Sequence, residues 1–95
     1  MKVAKVFGKN IPIKKQKGLI EQNCAAFYCY DTDSITIDSS LKGEQLTATL
    51  LHEMGHALFR RAGLEQSKIP TCLEEIIVEQ FATVVIENFK LTPKK

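Results

Sequence analysis

The sequence is poor in the residues that mark secreted, membrane-spanning or nucleic-acid-binding proteins. It has three cysteines, an odd number with no CxxC pair, so we expect reduced thiols in a cytoplasmic protein and no disulfide framework. No apolar run approaches the roughly 20 residues of a membrane span. The stretch from Met1 to Lys9 lacks the apolar core of a signal peptide. A net charge of +2 is too small to indicate nucleic acid or a membrane as a partner.

Histidine is also scarce, and its placement is the most informative feature of the chain. The two histidines, His52 and His56, are four positions apart, and Glu53 directly follows the first. On a helix, residues at this spacing share one face, so both imidazoles can converge on one zinc ion. Glu53 is rotated off the ligand line and can act on a water molecule there. This is the H-E-x-x-H motif of zinc metallopeptidases; the alternative is a helix with two ordinary histidines and a surface carboxylate.

The order of predicted elements, strands first and helices second, predicts an α+β fold. Strands are expected at residues 3–7, 24–30 and 34–38, and the last two form a hairpin around a polar turn. Residues 10–14 are either a turn or an edge strand, because Pro12 cannot donate to a ladder. The run at residues 24–30 is apolar enough for a buried strand. We therefore expect a small N-terminal antiparallel sheet over about residues 3–38.

Two helices are expected after the sheet. The first, at about residues 42–62, carries the H-E-x-x-H motif and has Ser39 and Ser40 as candidate caps. The second, at about residues 72–89, has Thr71 as its candidate cap. A frayed tail is expected at residues 90–95. The whole chain, residues 1–95, is expected to form one metallopeptidase-like domain.

The third metal ligand must come from outside the motif, because a catalytic zinc of this type takes three protein ligands and no histidine remains. The second helix offers Glu74, Glu75 and Glu79 within an apolar segment, where a carboxylate is costly to bury without a partner. A helical wheel places Glu74 in the middle of the apolar arc, Glu79 toward the polar side and Glu75 between them. The wheel therefore favours Glu74. The alternative is that these glutamates face solvent near the helix start, where the dipole favours negative charge.

From Ser34 to Thr83 the chain resembles the ImmA/IrrE-type metallopeptidases, small relatives of the thermolysin-like gluzincins. The resemblance is carried by the strand at residues 35–38, by the segment at 49–58 around the motif, and by residues 75–82. The last segment aligns with the family pattern E-x-x-A-N-x-F-A, in which the first glutamate binds zinc. The resemblance thus implies Glu75 as the third ligand, with Glu74 as the runner-up.

Two positions depart from the family pattern. Val78 replaces the alanine, and Glu79 stands where asparagine is usual. Glu79 follows Glu75 by one helical turn, so it can still accept a hydrogen bond from a zinc-binding imidazole and fix the ring. The alternative for Glu79 is an ordinary surface glutamate.

The motif and the resemblance together predict a cytoplasmic, zinc-dependent peptidase that hydrolyses peptide bonds in a peptide or protein substrate, such as a regulatory protein. Glu53 would serve as general base and then as general acid. The resemblance implies that the strand Ser34–Asp38 borders the cleft and offers its edge to an extended substrate. Tyr28 and Tyr30 are available as oxyanion donors, but each can equally be an ordinary strand residue. The sequence leaves the oligomeric state open.

Two other functions are compatible with the sequence. One is a non-catalytic binding or regulatory module of the same fold, stabilised by zinc. The other, weaker one is a thiol or metal sensor that uses Cys24, Cys29 and Cys72.

Overall fold

Four strands and two helices make up the fold, and the computed structural model describes them over residues 2–29, 31–62 and 70–91. The elements are β1 (Val3–Val6), β2 (Lys9–Gln16), β3 (Ala26–Cys29), β4 (Ser34–Asp38), α1 (Gly43–Arg61) and α2 (Thr71–Asn88). A short 3-10 turn at Ile20–Gln22 precedes β3. The predicted α+β order is confirmed, and every helix end lies within one residue of its prediction. Tyr30 and residues 92–95 of the predicted tail lie outside the described residues.

The strands form one mixed sheet in the order β1-β2-β4-β3. The pairs β1–β2 and β3–β4 are antiparallel, as expected, but the central pair β2–β4 is parallel. The prediction of an antiparallel sheet is therefore wrong for this pair. The reason is the path of the chain: β3 does not pair with β2 but lies one position further out, at the edge of the sheet. β4 lies between them and is antiparallel to β3, so it runs in the same direction as β2.

The second strand is the one whose prediction was left open, and it is a full strand with two different neighbours. Residues 9–12 of β2 pair with β1, and residues 13–16 pair with β4. The Ile13 nitrogen donates to the Lys2 carbonyl at 2.9 Å. Since N–H groups alternate in direction along a strand, the Pro12 nitrogen faces away from β1, and pairing with β4 begins only at the next residue. Pro12 is tolerated because it lies at this change of partner.

The core lies between the sheet and α1. All five residues of β4 are buried, and the largest fully buried side chains are Ile11, Ile35 and Ile37. Helix α1 contacts β1, β3 and β4 and buries Leu50 and Ala57 against the sheet cluster, while α2 packs against α1. Helix α1 is thus the middle layer, and the helix that carries H-E-x-x-H is held on both sides.

Neither helix uses its predicted cap. Ser40 instead donates its backbone N–H and its hydroxyl to the Asp38 carboxylate, at 2.8 and 2.6 Å, and Asp38 also accepts the Ile20 N–H at 2.9 Å. The hydrogen bonds from Ser40 and Ile20 lower the pKa of Asp38 to about 2. Helix α1 begins after Lys42 without a side-chain cap, and Thr71 is the first residue of α2, not its cap. The Ser40 side chain that was expected to cap α1 is therefore bound to the Asp38 carboxylate instead.

Candidate metal centre

The two motif histidines of α1 meet a glutamate of α2. The Nε2 atoms of His52 and His56 are 3.3 Å apart, and the Glu75 carboxylate lies 2.8 Å from the first and 3.0 Å from the second. Of the residues that the structure describes, these three form the group able to hold a metal ion. The group combines neighbouring turns of α1 with the first turn and a half of α2.

The distances within this group suit a small tetrahedral ion. Two ligands bound at about 2 Å with a tetrahedral angle between them lie about 3.3 Å apart. The separation of the two Nε2 atoms is 3.3 Å, and the contacts to Glu75 are a few tenths of an ångström shorter. Two imidazoles and one carboxylate are also a donor set that zinc takes at catalytic sites. The residues present therefore fit the metal that the motif implies.

Two further glutamates of α2 hold the outer nitrogen of each ring. The Nδ1 of His52 lies 2.7 Å from Glu79, and the Nδ1 of His56 lies 2.6 Å from Glu74. An ionised carboxylate only accepts hydrogen bonds, so each Nδ1 carries a proton, and in the neutral form of each ring the Nε2 lone pair faces Glu75. In the protonated form, Nε2 instead donates to Glu75. In the neutral form, the lone pairs and the carboxylate face one another. Such an arrangement is electrostatically favourable only with a cation or with additional protons in its centre.

The groups around His56 also favour a positive charge at this site. Burial lowers the pKa of His56, but the hydrogen bond to Glu74 and the charges of Glu75 and Glu53 outweigh it and raise the pKa above its ordinary value. Glu75 responds in the opposite sense. Burial raises its pKa, while the hydrogen bond to His52 and the charges of both imidazoles hold it below the usual range.

The three glutamates named from the sequence occupy three different positions around the rings. Glu75, which the family resemblance favoured, faces both Nε2 atoms. Glu74, which the helical wheel favoured, is 5% exposed and faces the Nδ1 of His56. Glu79 makes the predicted contact with an imidazole, that of His52. The wheel indicated correctly that Glu74 is buried, and its contact with His56 is the one that sequence reasoning missed.

Glu53 lies beside the metal group and is buried. Only 7% of it is exposed, and its burial, together with the nearby Glu75 charge, raises its pKa against the opposing effect of the two imidazoles. Glu53 and His52 line two adjoining clefts, of about 350 and 280 Å³. The larger cleft is lined also by Phe27 and Tyr28, and the smaller one by Ala25, Ala48, Thr49 and Glu79. The carboxylate predicted as the general base therefore borders the open space on both sides of His52.

The strand that borders the site is β3, and the prediction that the edge of Ser34–Asp38 faces the cleft is wrong. That strand, β4, has β2 on one side and β3 on the other, so both of its edges are already paired. β3 is the outer strand, and its residues Ala26, Phe27 and Tyr28 line the larger cleft. The expectation of a buried strand at residues 24–30 is also wrong, since β3 is only partly buried.

Of the other predicted candidates within the described residues, Tyr28 lines the larger cleft together with the metal-holding residues. The Tyr28 hydroxyl donates to Asp33, which Lys9 also contacts at 2.8 Å. Burial opposes ionisation of Asp33, but these two partners lower its pKa. The cysteines Cys24, Cys29 and Cys72 are free thiols. None belongs to the metal-holding group found in the described part of the chain, which gives no support to a cysteine-based sensor.

Helix α2 packs tightly against α1 at Gly55, between the two histidines. A Cβ atom built on Gly55 would lie 2.8 and 2.9 Å from the two γ-carbons of Val78. Contacts this short do not occur between packed carbon atoms. Val78, which stands where the family pattern has alanine, therefore occupies the space that the missing side chain leaves. This tight contact limits how α2 can shift along α1, and with it the position of the α2 glutamates relative to the histidines.

The comparisons with known proteins add no relative. Neither helix, over the residues described, is long and apolar enough to cross a membrane. The resemblance carried by the motif and by residues 75–82 stays a prediction. No protein-family model, curated protein or solved structure matches this chain.

Proposed function

We propose that this protein is a zinc-dependent peptidase that cuts peptide bonds in a protein substrate, such as a regulatory protein, in the cytosol. The observation that carries the proposal is the convergence of the His52 and His56 Nε2 atoms on the Glu75 carboxylate, with buried Glu53 beside them. Zinc is the metal we assign, because two imidazoles oriented by carboxylates and one carboxylate ligand suit it best.

The chain's own residues divide the work of hydrolysis between them. Zinc in this site would supply a Lewis acid that activates water and polarises the scissile carbonyl. Glu53 takes a proton from water as the water oxygen bonds to the scissile carbonyl carbon, and it delivers that proton to the amine that leaves when the C–N bond breaks. Its raised pKa suits that exchange, because a carboxyl group titrating nearer neutrality can both accept and release a proton. Glu74 and Glu79 hold the rings of His56 and His52 in the orientation that exposes Nε2.

The substrate in this proposal is an extended peptide that lies along β3. As one of the two edge strands of the sheet, β3 offers backbone groups that an added strand can pair with. Side chains of an extended peptide alternate in direction. One substrate side chain can therefore enter the cleft lined by Phe27 and Tyr28, and the next can enter the cleft lined by Ala48 and Thr49. The small residues of the second wall leave room for a large substrate side chain.

Metal content is the first test. Wild-type protein prepared without chelator and supplied with zinc should hold one ion per chain by elemental analysis. Glu75→Ala should lose that ion. Glu74→Ala should keep the stoichiometry but bind about 10–100-fold more weakly, because it loses only the contact to the outer nitrogen of His56. Glu87→Ala, an exposed glutamate of the same helix, is the matched control and should bind as the wild type does.

Activity is the second test. Glu53→Gln keeps the size of the side chain and removes the proton acceptor, so it should retain zinc while peptide cleavage falls by at least about a hundredfold. Cleavage that survives this substitution would remove Glu53 from the mechanism. Zinc binding without cleavage of any peptide or protein by the wild type would instead identify a non-catalytic module stabilised by zinc.

A further inference from the structure

Helix α2 exposes a row of apolar side chains on the side away from the metal site. Its residues Glu74, Val78 and Ala82 are buried against α1. The opposite side exposes large apolar side chains at helical spacing, each between 42% and 67% exposed. We refer to these residues as the α2 stripe: Leu73, Ile76, Ile77, Phe81 and Val84. A single apolar residue at the surface needs no explanation, but a continuous row of this kind marks a binding surface.

We propose that two copies of this chain associate through the α2 stripe as a symmetric antiparallel helix pair. This proposal does not depend on the peptidase function, since no stripe residue belongs to the metal group or lines either cleft. The α2 stripe is covered by a second copy of the chain, as its area, its register and its charge indicate.

The area is sufficient for a dimer. With the exposures given above, the stripe presents on the order of 500 Å² of apolar surface per copy, near the upper end of what a monomer tolerates. Two copies would bury roughly 1,000 Å² from the stripe alone, and the polar residues along its margin bring the total into the range of specific interfaces, about 1,200–2,000 Å².

The order of residues is self-complementary when the helices run antiparallel about a twofold axis. In the register that centres the stripe, Leu73 lies opposite Val84 of the other copy. Successive residues of a helix are about 100° apart, so Ile76 and Phe81, at 58% and 67% exposure, lie on opposite margins of the stripe. The twofold axis therefore brings each of them next to the same residue of the other copy. Ile77 lies opposite Gln80, the polar residue in the middle of the row.

The charge distribution favours a second copy over a lipid surface. From Thr71 to Asn88 the helix has four glutamates and no lysine or arginine. An anionic membrane would repel such a helix, whereas interfacial helices carry basic residues on their polar face. The five stripe residues and Gln80 among them are uncharged. The exposed Glu75 and Glu79 face the histidines of α1 instead. Two copies therefore meet without like charges facing each other.

The test compares two phenylalanines that differ only in location. Phe81, in the stripe, is 67% exposed, and Phe7, in the turn between β1 and β2, is 70% exposed. In sedimentation over a wide dilution series, wild type should approach twice 10.7 kDa at high concentration. Phe81→Glu should stay at 10.7 kDa under the same conditions, while Phe7→Glu should follow the wild type. All three should keep the same circular dichroism and the same zinc stoichiometry. If Phe81→Glu loses its helical signal, Ile76→Lys takes its place.

The register has its own test by oxidative cross-linking, with the native cysteines replaced by serine. Cysteines at both Leu73 and Val84 should join two copies. Leu73→Cys alone should not, because the two equivalent positions lie about 16 Å apart along the antiparallel pair. Efficient cross-linking of the single variant overturns the register. A wild type that remains at 10.7 kDa at every concentration, or a Phe7→Glu variant that dissociates like Phe81→Glu, overturns the dimer. Monomers that bind zwitterionic vesicles would assign the stripe to lipid instead.

Discussion

The two faces of α1 are packed by opposite chemistry. Toward the sheet, Leu50 and Ala57 pack with Ile35 and Ile37 in a cluster without charge. Toward α2, the same helix places its two imidazoles against carboxylates, including the buried Glu74. Apolar burial needs nothing further to be favourable, whereas a carboxylate in a poorly solvated place needs a partner of opposite charge. The sheet face can therefore hold the fold alone, whereas the α2 face needs positive charge, from a bound cation or from protonated imidazoles.

The largest expected effect is a break in the sheet face. Ile35→Ala deletes a side chain that is completely buried in the central strand, and we expect a loss of about 3–4 kcal/mol in the free energy of unfolding. Urea unfolding measures it. Ile76→Ala, which shortens an exposed isoleucine, is the control and should change the monomer's stability by less than about 1 kcal/mol. Equal losses in the two variants would show that the sheet face is not the stable one.

Removal of the metal tests the opposite face. If the proposed site binds zinc, a hundredfold excess of zinc over its Kd should add about 2.7 kcal/mol to the free energy of unfolding. Chelation should remove that amount. Hydrogen exchange should then rise in α2 well before it rises in β4, because α2 packs against α1 through the carboxylate face. A uniform rise in exchange over both elements would contradict the division between the faces.

Gly55→Ala tests the spacing of the helices without touching a charged group. The added methyl group would meet the γ-carbons of Val78 at 2.8 and 2.9 Å, so the helices must separate at a cost of about 1–3 kcal/mol. Zinc affinity should fall with it, because the α2 glutamates move relative to the histidines. Val78→Ala in the same chain should recover most of both losses. If the loss of stability in the double variant equals the sum of the losses in the two single variants, this contact is not the cause.

The smallest effect concerns pH, and it lies away from the metal face. The pKa of Asp38 is about 2 in the folded protein, below the value of about 3.9 for an unperturbed aspartate. The lowered pKa means that ionised Asp38 stabilises the fold above pH about 4, and that this contribution disappears as the pH falls toward 2. Asp38→Asn should therefore lower the urea midpoint at neutral pH, and its difference from wild type should shrink through that window. A constant difference would exclude the carboxylate charge as its origin.

The predictions from sequence were most accurate where one local pattern determines the structure. Both helices end within one residue of their predicted bounds, although neither uses its predicted cap, and the histidine spacing placed both rings on one face. The direction of β4 relative to β2 could not be predicted from a local pattern. It depends on β3 passing over the position beside β2, a property of the connection and not of either strand.

The glutamates show the same limit at the scale of single atoms. A helical wheel reports which side chains face the core, and it identified Glu74 correctly as buried. It does not report which ring nitrogen a carboxylate reaches, because that depends on the height of α2 along α1. Since Gly55 and Val78 set that height, the assignments of Glu74 to Nδ1 and Glu75 to Nε2 emerge only from the packed helices.

The divided pairing of β2 has a consequence for the order of folding. Each hairpin, β1–β2 and β3–β4, joins strands that are close in sequence, while the parallel seam between them consists of four residue pairs, from Ile13–Ile35 to Gln16–Asp38. Contacts distant in sequence form late, because a longer loop must first close. We expect the two hairpins to form early and the seam to be the last part of the sheet to assemble. Substitutions in the seam should then accelerate unfolding more than they slow folding.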